Sequence, residues 1–183
     1  MGHISQFNKT LSLWFNAHGI SNLEFEEEAD FYYSPVSHKV CYALLDSPTI
    51  DSYFQQFAYE YGTEYDCHPF VFSLLHEVGH YMTLHYFTEE EKDKDKAAKV
   101  ANWGQTGIEA HYKYWELPTE FAANMWAINW INTHYDELCE LHEVCSKGLD
   151  AIMDDPYIVE QLMDWQEEVM NGNTELPFII AEE

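Results

Sequence analysis

The chain has 183 residues, 46% of them hydrophobic and 16% aromatic, enough to bury the core of a single globular domain spanning 1–183. Its formal charge is −25 and it contains no arginine, which argues against a phosphate-contacting nucleic-acid surface, since such binding rests on Lys and Arg. No apolar run of about 18 residues occurs, which excludes a membrane-spanning helix, and Met1–Gln6 lacks the basic and apolar segments of a signal peptide.

The first predicted element is a helix from Ser5 to His18. Phe7, Leu11, Trp14 and Phe15 recur at helical spacing, and Gly19 is a good terminator. β character follows at Leu23–Glu27, Phe31–Tyr33 and Val40–Leu45, with Ser34-Pro35-Val36-Ser37-His38 as a turn. These runs predict a small antiparallel sheet near the N-terminus. A helix from Ile50 to Tyr61 comes next, stopped by Gly62.

Pro69 then opens an apolar helix running to about Tyr86 that contains His76-Glu77-Val78-Gly79-His80, an HExxH motif. Residues four apart share a helix face, so His76 and His80 can point at one ion. Two neutral imidazoles suit Zn²⁺, and Glu77 beside them is placed as a general base. Gly79 costs about 1 kcal/mol in a helix interior, so it asks for a reason, and close approach of another element is one. His85 points away from this face, and His38 and His68 fall in turns without an evident partner.

A charged insert occupies about 88–115. Thr88 and Glu91 form a capping box opening a helix to about Ala101, which holds half of the lysines. Its plain reading is a solvated helix with local ion pairs; the sharper one is a lid jointed at Gly104 and Gly107. His111, Tyr112 and Tyr114 follow, and any of them near a metal could donate to the oxyanion of a tetrahedral intermediate.

Pro118 opens the next helix, to about Ile131, carrying Glu120 as third ligand and Asn124 one turn on. Asn124 is expected to hold a ligating imidazole, that of His76, by its other nitrogen. Ala122, Ala123 and Ala127 permit close approach to the HExxH helix. Glu116 is the rival third ligand, disfavoured because Pro118 places it at the helix entrance.

A helical extension covers about 135–171, as Tyr135–Met153 and Pro156–Met170. Leu138, Leu141, Cys145, Leu149 and Ile152 make an apolar core stripe. Cys139, His142 and Cys145 share this helix, but one helix cannot close a tetrahedral site. The tail from Asn171 is loop-like apart from Phe178-Ile179-Ile180. The four cysteines, Cys41, Cys67, Cys139 and Cys145, form no compact disulfide framework, which points to an intracellular compartment.

HExxH followed by a helical Glu-x-x-Ala-Asn resembles the gluzincin class of zinc peptidases. Glu120-Phe121-Ala122-Ala123-Asn124-Met125-Trp126-Ala127 is similar to the second signature of the ImmA/IrrE-like family of bacteria, phages and mobile elements. The resemblance covers two short motifs and an element order within roughly residues 20–135. It implies an α+β, mainly helical zincin-like fold with one Zn²⁺ per chain. His76, His80 and Glu120 match the ligands, Glu77 the general base and Asn124 the residue orienting a ligand. It further implies cytoplasmic peptidase action on a regulatory protein, with an edge strand pairing the extended substrate; Val40–Leu45 is the expected strand. Asn124 stands where many gluzincins carry Asp, and the segment from His80 to Glu120 is longer than in minimal members. A basic protein partner fits the acidic field. The alternative is a non-catalytic zinc-binding protein that engages a partner through its acidic surface.

Overall fold

The computed structural model describes residues 2–28, 30–44, 48–102 and 107–170. The elements in chain order are α1 (His3–Ala17), β1 (Glu24–Glu27), β2 (Tyr32–Ser34), β3 (Lys39–Tyr42), α2 (Pro48–Glu60), α3 (Pro69–Thr83), α4 (Glu89–Asn102), α5 (Ile108–Trp115), α6 (Pro118–Thr133), α7 (Tyr135–Met153) and α8 (Pro156–Met170), with a short 3-10 turn Leu84–Tyr86 after α3. The described residues are thus mainly helical, with one small sheet. They divide into two compact units: 1–45 with 140–183, and 46–139.

In the first unit α1 buries Phe7, Leu11 and Phe15, the stripe its spacing predicts. The helix closes at Gly19, whose φ of 84° is in the left-handed region that only glycine enters freely. The Gly19 N–H donates to the Asn16 carbonyl and the Ile20 N–H to that of Phe15, a Schellman closure. Phe15 stacks on Phe25 of β1 at 5.0 Å, and the Tyr42 hydroxyl of β3 donates to Asn8 Oδ1 at 2.7 Å. On α7, Leu141, Cys145 and Ile152 are buried.

The sheet order is β1-β3-β2. β2 pairs antiparallel to β3 through a hairpin, but β1 pairs parallel to β3, with Phe25 opposite Val40. The sheet is therefore mixed, not antiparallel as expected. This overturns a second expectation. β3 is the central strand, its backbone groups engaged on both sides, so Lys39–Tyr42 has no free edge to offer an extended peptide. The edges are β1 and β2. Leu45, Gly104 and Phe178-Ile179-Ile180 lie outside the described residues.

The second unit is built on α3, which is buried along nearly its whole length. It starts where Pro69 predicts, with the His68 ring accepting from the Phe70 N–H at 3.2 Å as a cap. His68 thus has a role that its place in a turn did not suggest. His38, too, lies 3.2 Å from the Tyr33 hydroxyl. α6 packs along α3 and approaches closely at Gly79: a Cβ there would lie 2.5 Å from the Ala123 carbonyl oxygen. The helix breaker in the motif is explained by that contact. α2 and α5 add an aromatic layer, with Phe54 stacked on Trp115 at 4.8 Å. None of the four cysteines is in a disulfide, and no helix among the described residues is long and apolar enough to cross a membrane.

Candidate metal centre

α3 turns His76 and His80 to one side, and α6 brings Glu120 up against them. Glu120 Oε2 lies 3.1 Å from His76 Nε2, and Glu120 Oε1 lies 3.3 Å from His80 Nε2. All three residues are buried, Glu120 to 1% exposure. Among the described residues this is the only trio of His, Cys, Asp or Glu whose ligand atoms all lie within 4.8 Å of one another. Glu77 is buried beside them, its Oε1 3.7 Å from His76 Nε2.

Asn124 is fully buried one turn along α6. Its Nδ2 donates to the Trp115 carbonyl at 3.4 Å, which turns Oδ1 toward His76 Nδ1 at 2.7 Å. The His76 ring N–H therefore donates to the amide oxygen, and Nε2 is aimed at Glu120.

Burial alone would pull the His76 imidazole down, but Glu120, Glu77 and Asn124 outweigh it and raise its pKa above the ordinary histidine value. Burial alone would push the Glu120 carboxyl up; His80, Lys99 and hydrogen bonds from the two histidines hold it well below the usual carboxylate range. Charge on both partners is sustained by proximity, not by water.

The donor set fits a zinc ion. Two imidazole nitrogens and one carboxylate converge, which is the composition of a catalytic zinc site with a position left open. Glu120 Oε1 is fully buried. Its company is charge: His80 and the Lys99 ammonium. A buried carboxylate oxygen that faces an imidazole nitrogen is compatible with ligation of a cation between them.

Comparison with family models, curated proteins and solved structures returns no match.

The rival ligand Glu116 lies apart from the trio, at the exposed end of α5, where its Oε1 accepts from the Tyr61 hydroxyl at 2.6 Å. The three oxyanion-donor candidates are placed differently from one another. The Tyr112 hydroxyl donates to Glu60 Oε2 at 2.7 Å, and the His111 ring packs on Trp115 and Tyr53. Tyr114 carries the Lys99 ammonium 5.5 Å from its ring centroid, which ties it to the His76, His80 and Glu120 cluster through Lys99.

The sequence reading missed Lys99 and Asp95. α4 opens with its capping box, the Thr88 N–H donating to Glu91 Oε2 at 2.8 Å, and carries the expected ion pairs Lys92–Glu89 and Lys94–Glu90. It is not solvated all round. Asp95 is buried and accepts from the Thr119 N–H at 2.6 Å, capping the start of α6 from outside. Lys99, one turn on, reaches Glu120. The available signal was the spacing: Asp95 and Lys99 are four apart and flank Ala97-Ala98, where the strict charge pattern lapses.

Proposed function

We propose that this chain is a zinc-dependent peptidase of the gluzincin type, similar to ImmA/IrrE-like proteins, cutting a peptide bond in a specific protein. The observation that carries the reading is the convergence of His76, His80 and Glu120 with Glu77 beside them. Zinc held there would polarise a carbonyl and lower the pKa of its water to about 7. The chain's own residues do the rest. Glu77 is a buried carboxylate beside the trio, placed so that it would take a proton from an attacking water and return it to the leaving amine. Asn124 fixes the His76 ring so that Nε2 faces Glu120, where an ion would be held between them. The formal charge of −25 favours a basic segment of a protein substrate. A regulatory substrate in the cytoplasm of a bacterial or phage-infected cell belongs to the same proposal. A non-catalytic zinc-binding protein that engages a partner through its acidic surface has no use for Glu77, and this separates the two classes.

Protein purified without chelator is expected to carry about one zinc per chain by elemental analysis. Glu77→Gln keeps the shape and removes the base. New protein N-termini are then mapped in cells expressing wild type or Glu77→Gln. Wild type should generate a small set of cleavages that fall at least about 10²-fold in the variant, with zinc and melting temperature unchanged. An identical set of N-termini in both, with zinc verified in both, would end the peptidase reading.

A further inference from the structure

α4 adds a lysine to the cluster of His76, Glu77, His80 and Glu120, and its chemistry opposes that of a metal. The Lys99 ammonium contacts Glu120 Oε1, the same oxygen that faces His80 Nε2 at 3.3 Å. The Lys99 side chain is 33% exposed while Glu120 is 1% exposed, so the lysine enters from the rim and its charge ends in the site. Its approach is fixed one turn earlier, where Asp95 accepts from the Thr119 N–H at 2.6 Å, the residue just before Glu120. Asp95 and Lys99 on one face of α4 thus engage consecutive residues of α6.

Charge balance sets the consequence. With both imidazoles neutral, Glu77 and Glu120 together neutralise a divalent ion. An added ammonium on the same carboxylate leaves one excess positive charge in a buried site and places two cations within a few ångströms of each other. At such separations two cations repel strongly even at an effective dielectric of about 20. The Tyr114 ring, 5.5 Å from the ammonium, offers the displaced lysine a resting place.

We propose that Lys99 is a positioning residue that competes with the metal for Glu120, so that the ammonium and the ion hold the third ligand in turn and the docking of α4 sets metal affinity. The proposal rests on the metal-binding reading above. A lysine with a merely structural role would weaken the site when removed; a competitor strengthens it.

The test is a zinc titration of metal-stripped protein against a chromogenic chelator, with wild type, Lys99→Met, Lys99→Gln and Lys99→Arg. Lys99→Met and Lys99→Gln should lower the zinc Kd by about tenfold or more, and Lys99→Arg, which keeps the charge, should stay within about threefold of wild type. In the metal-stripped state Lys99→Met should melt lower than wild type, because Glu120 loses its counter-ion; zinc should close that gap. If Lys99→Met does not fold when stripped, Lys99→Gln decides. Zinc binding by the variants alone, with none by wild type, would support competition in its strongest form. An unchanged or raised Kd in folded Lys99→Met or Lys99→Gln would overturn it. No zinc binding by wild type or any variant would remove the metal reading itself, and this proposal with it.

Discussion

At the scale of single residues, the most exacting position is Asn124. Its amide is polarised at both ends, Nδ2 on the Trp115 carbonyl and Oδ1 on His76 Nδ1, so it fixes both the rotamer and the tautomer of the His76 ring. Partners of this kind are worth 10–100-fold in metal affinity. Asn124→Ala should fold and bind zinc about 10–100-fold more weakly in the same chelator titration; an unchanged Kd would reduce the residue to packing. Asn124→Asp should keep zinc, because a carboxylate also accepts from Nδ1, but it sets an acceptor against the Trp115 carbonyl and should melt lower. His76, Glu77, His80, Glu120 and Asn124 were legible in the sequence because helical periodicity converts spacing directly into a shared face. Lys99 and Asp95 were not, because in a helix as charged as 89–102 every carboxylate and ammonium reads as solvated. Only tertiary contact with α6 distinguishes those two from their neighbours. His68 was missed for the converse reason: a ring in a turn gives no hint of which backbone N–H it will cap.

At the scale of elements, helices were readable and strand partners were not. The termini of α1, α3, α6 and α7 follow from Gly19, Pro69, Pro118 and the apolar stripes, within a few residues. Alternation identifies a strand but not its neighbour, and the parallel pairing of β1 with β3 spans β2, so the sheet was misassigned as antiparallel. α5 was not anticipated because eight residues rich in Tyr and Trp have no strong helical preference and are held by packing of Trp115 on Phe54. Helix packing also explains why the motif tolerates a glycine. Gly79→Ala should gain about 1 kcal/mol of intrinsic helix propensity. Against that, the new methyl would sit 2.5 Å from the Ala123 carbonyl oxygen, a backbone atom that cannot swing aside. Overpacking of this kind typically costs about 1–3 kcal/mol, and here it forces apart the two helices that carry His76, His80 and Glu120. The clash should win: Gly79→Ala should melt lower in chemical denaturation and bind zinc more weakly. Equal stability with equal zinc affinity would mean that the α3–α6 crossing is looser than its geometry.

At the scale of the whole molecule, the dominant fact is 33 acidic residues against eight lysines. Net charge of this size destabilises the folded chain by self-repulsion. Salt acts on two opposed quantities. It weakens exposed pairs such as Lys92–Glu89, Lys94–Glu90 and Lys147–Glu143, which solvent already screens heavily. It also screens the repulsion among the excess carboxylates, which far outnumber the cations able to pair with them. The Debye length falls from about 30 Å at 0.01 M to about 8 Å at 0.15 M, so many carboxylate pairs that interact at low salt cease to do so. Screening should therefore prevail, and the melting temperature should rise between these two salt concentrations. For a chain of this length a gain of 1 kcal/mol corresponds to about 2–4 °C, so a rise of several degrees is expected by calorimetry. The measurement is made on metal-stripped protein with sodium chloride, so that neither divalent binding nor a strongly salting-out anion contributes. A melting temperature that falls with salt would show that the local pairs outweigh the global field. The acidic surface would then be organised into stabilising networks, and its value for attracting a basic partner would have to be argued from particular side chains instead of net charge.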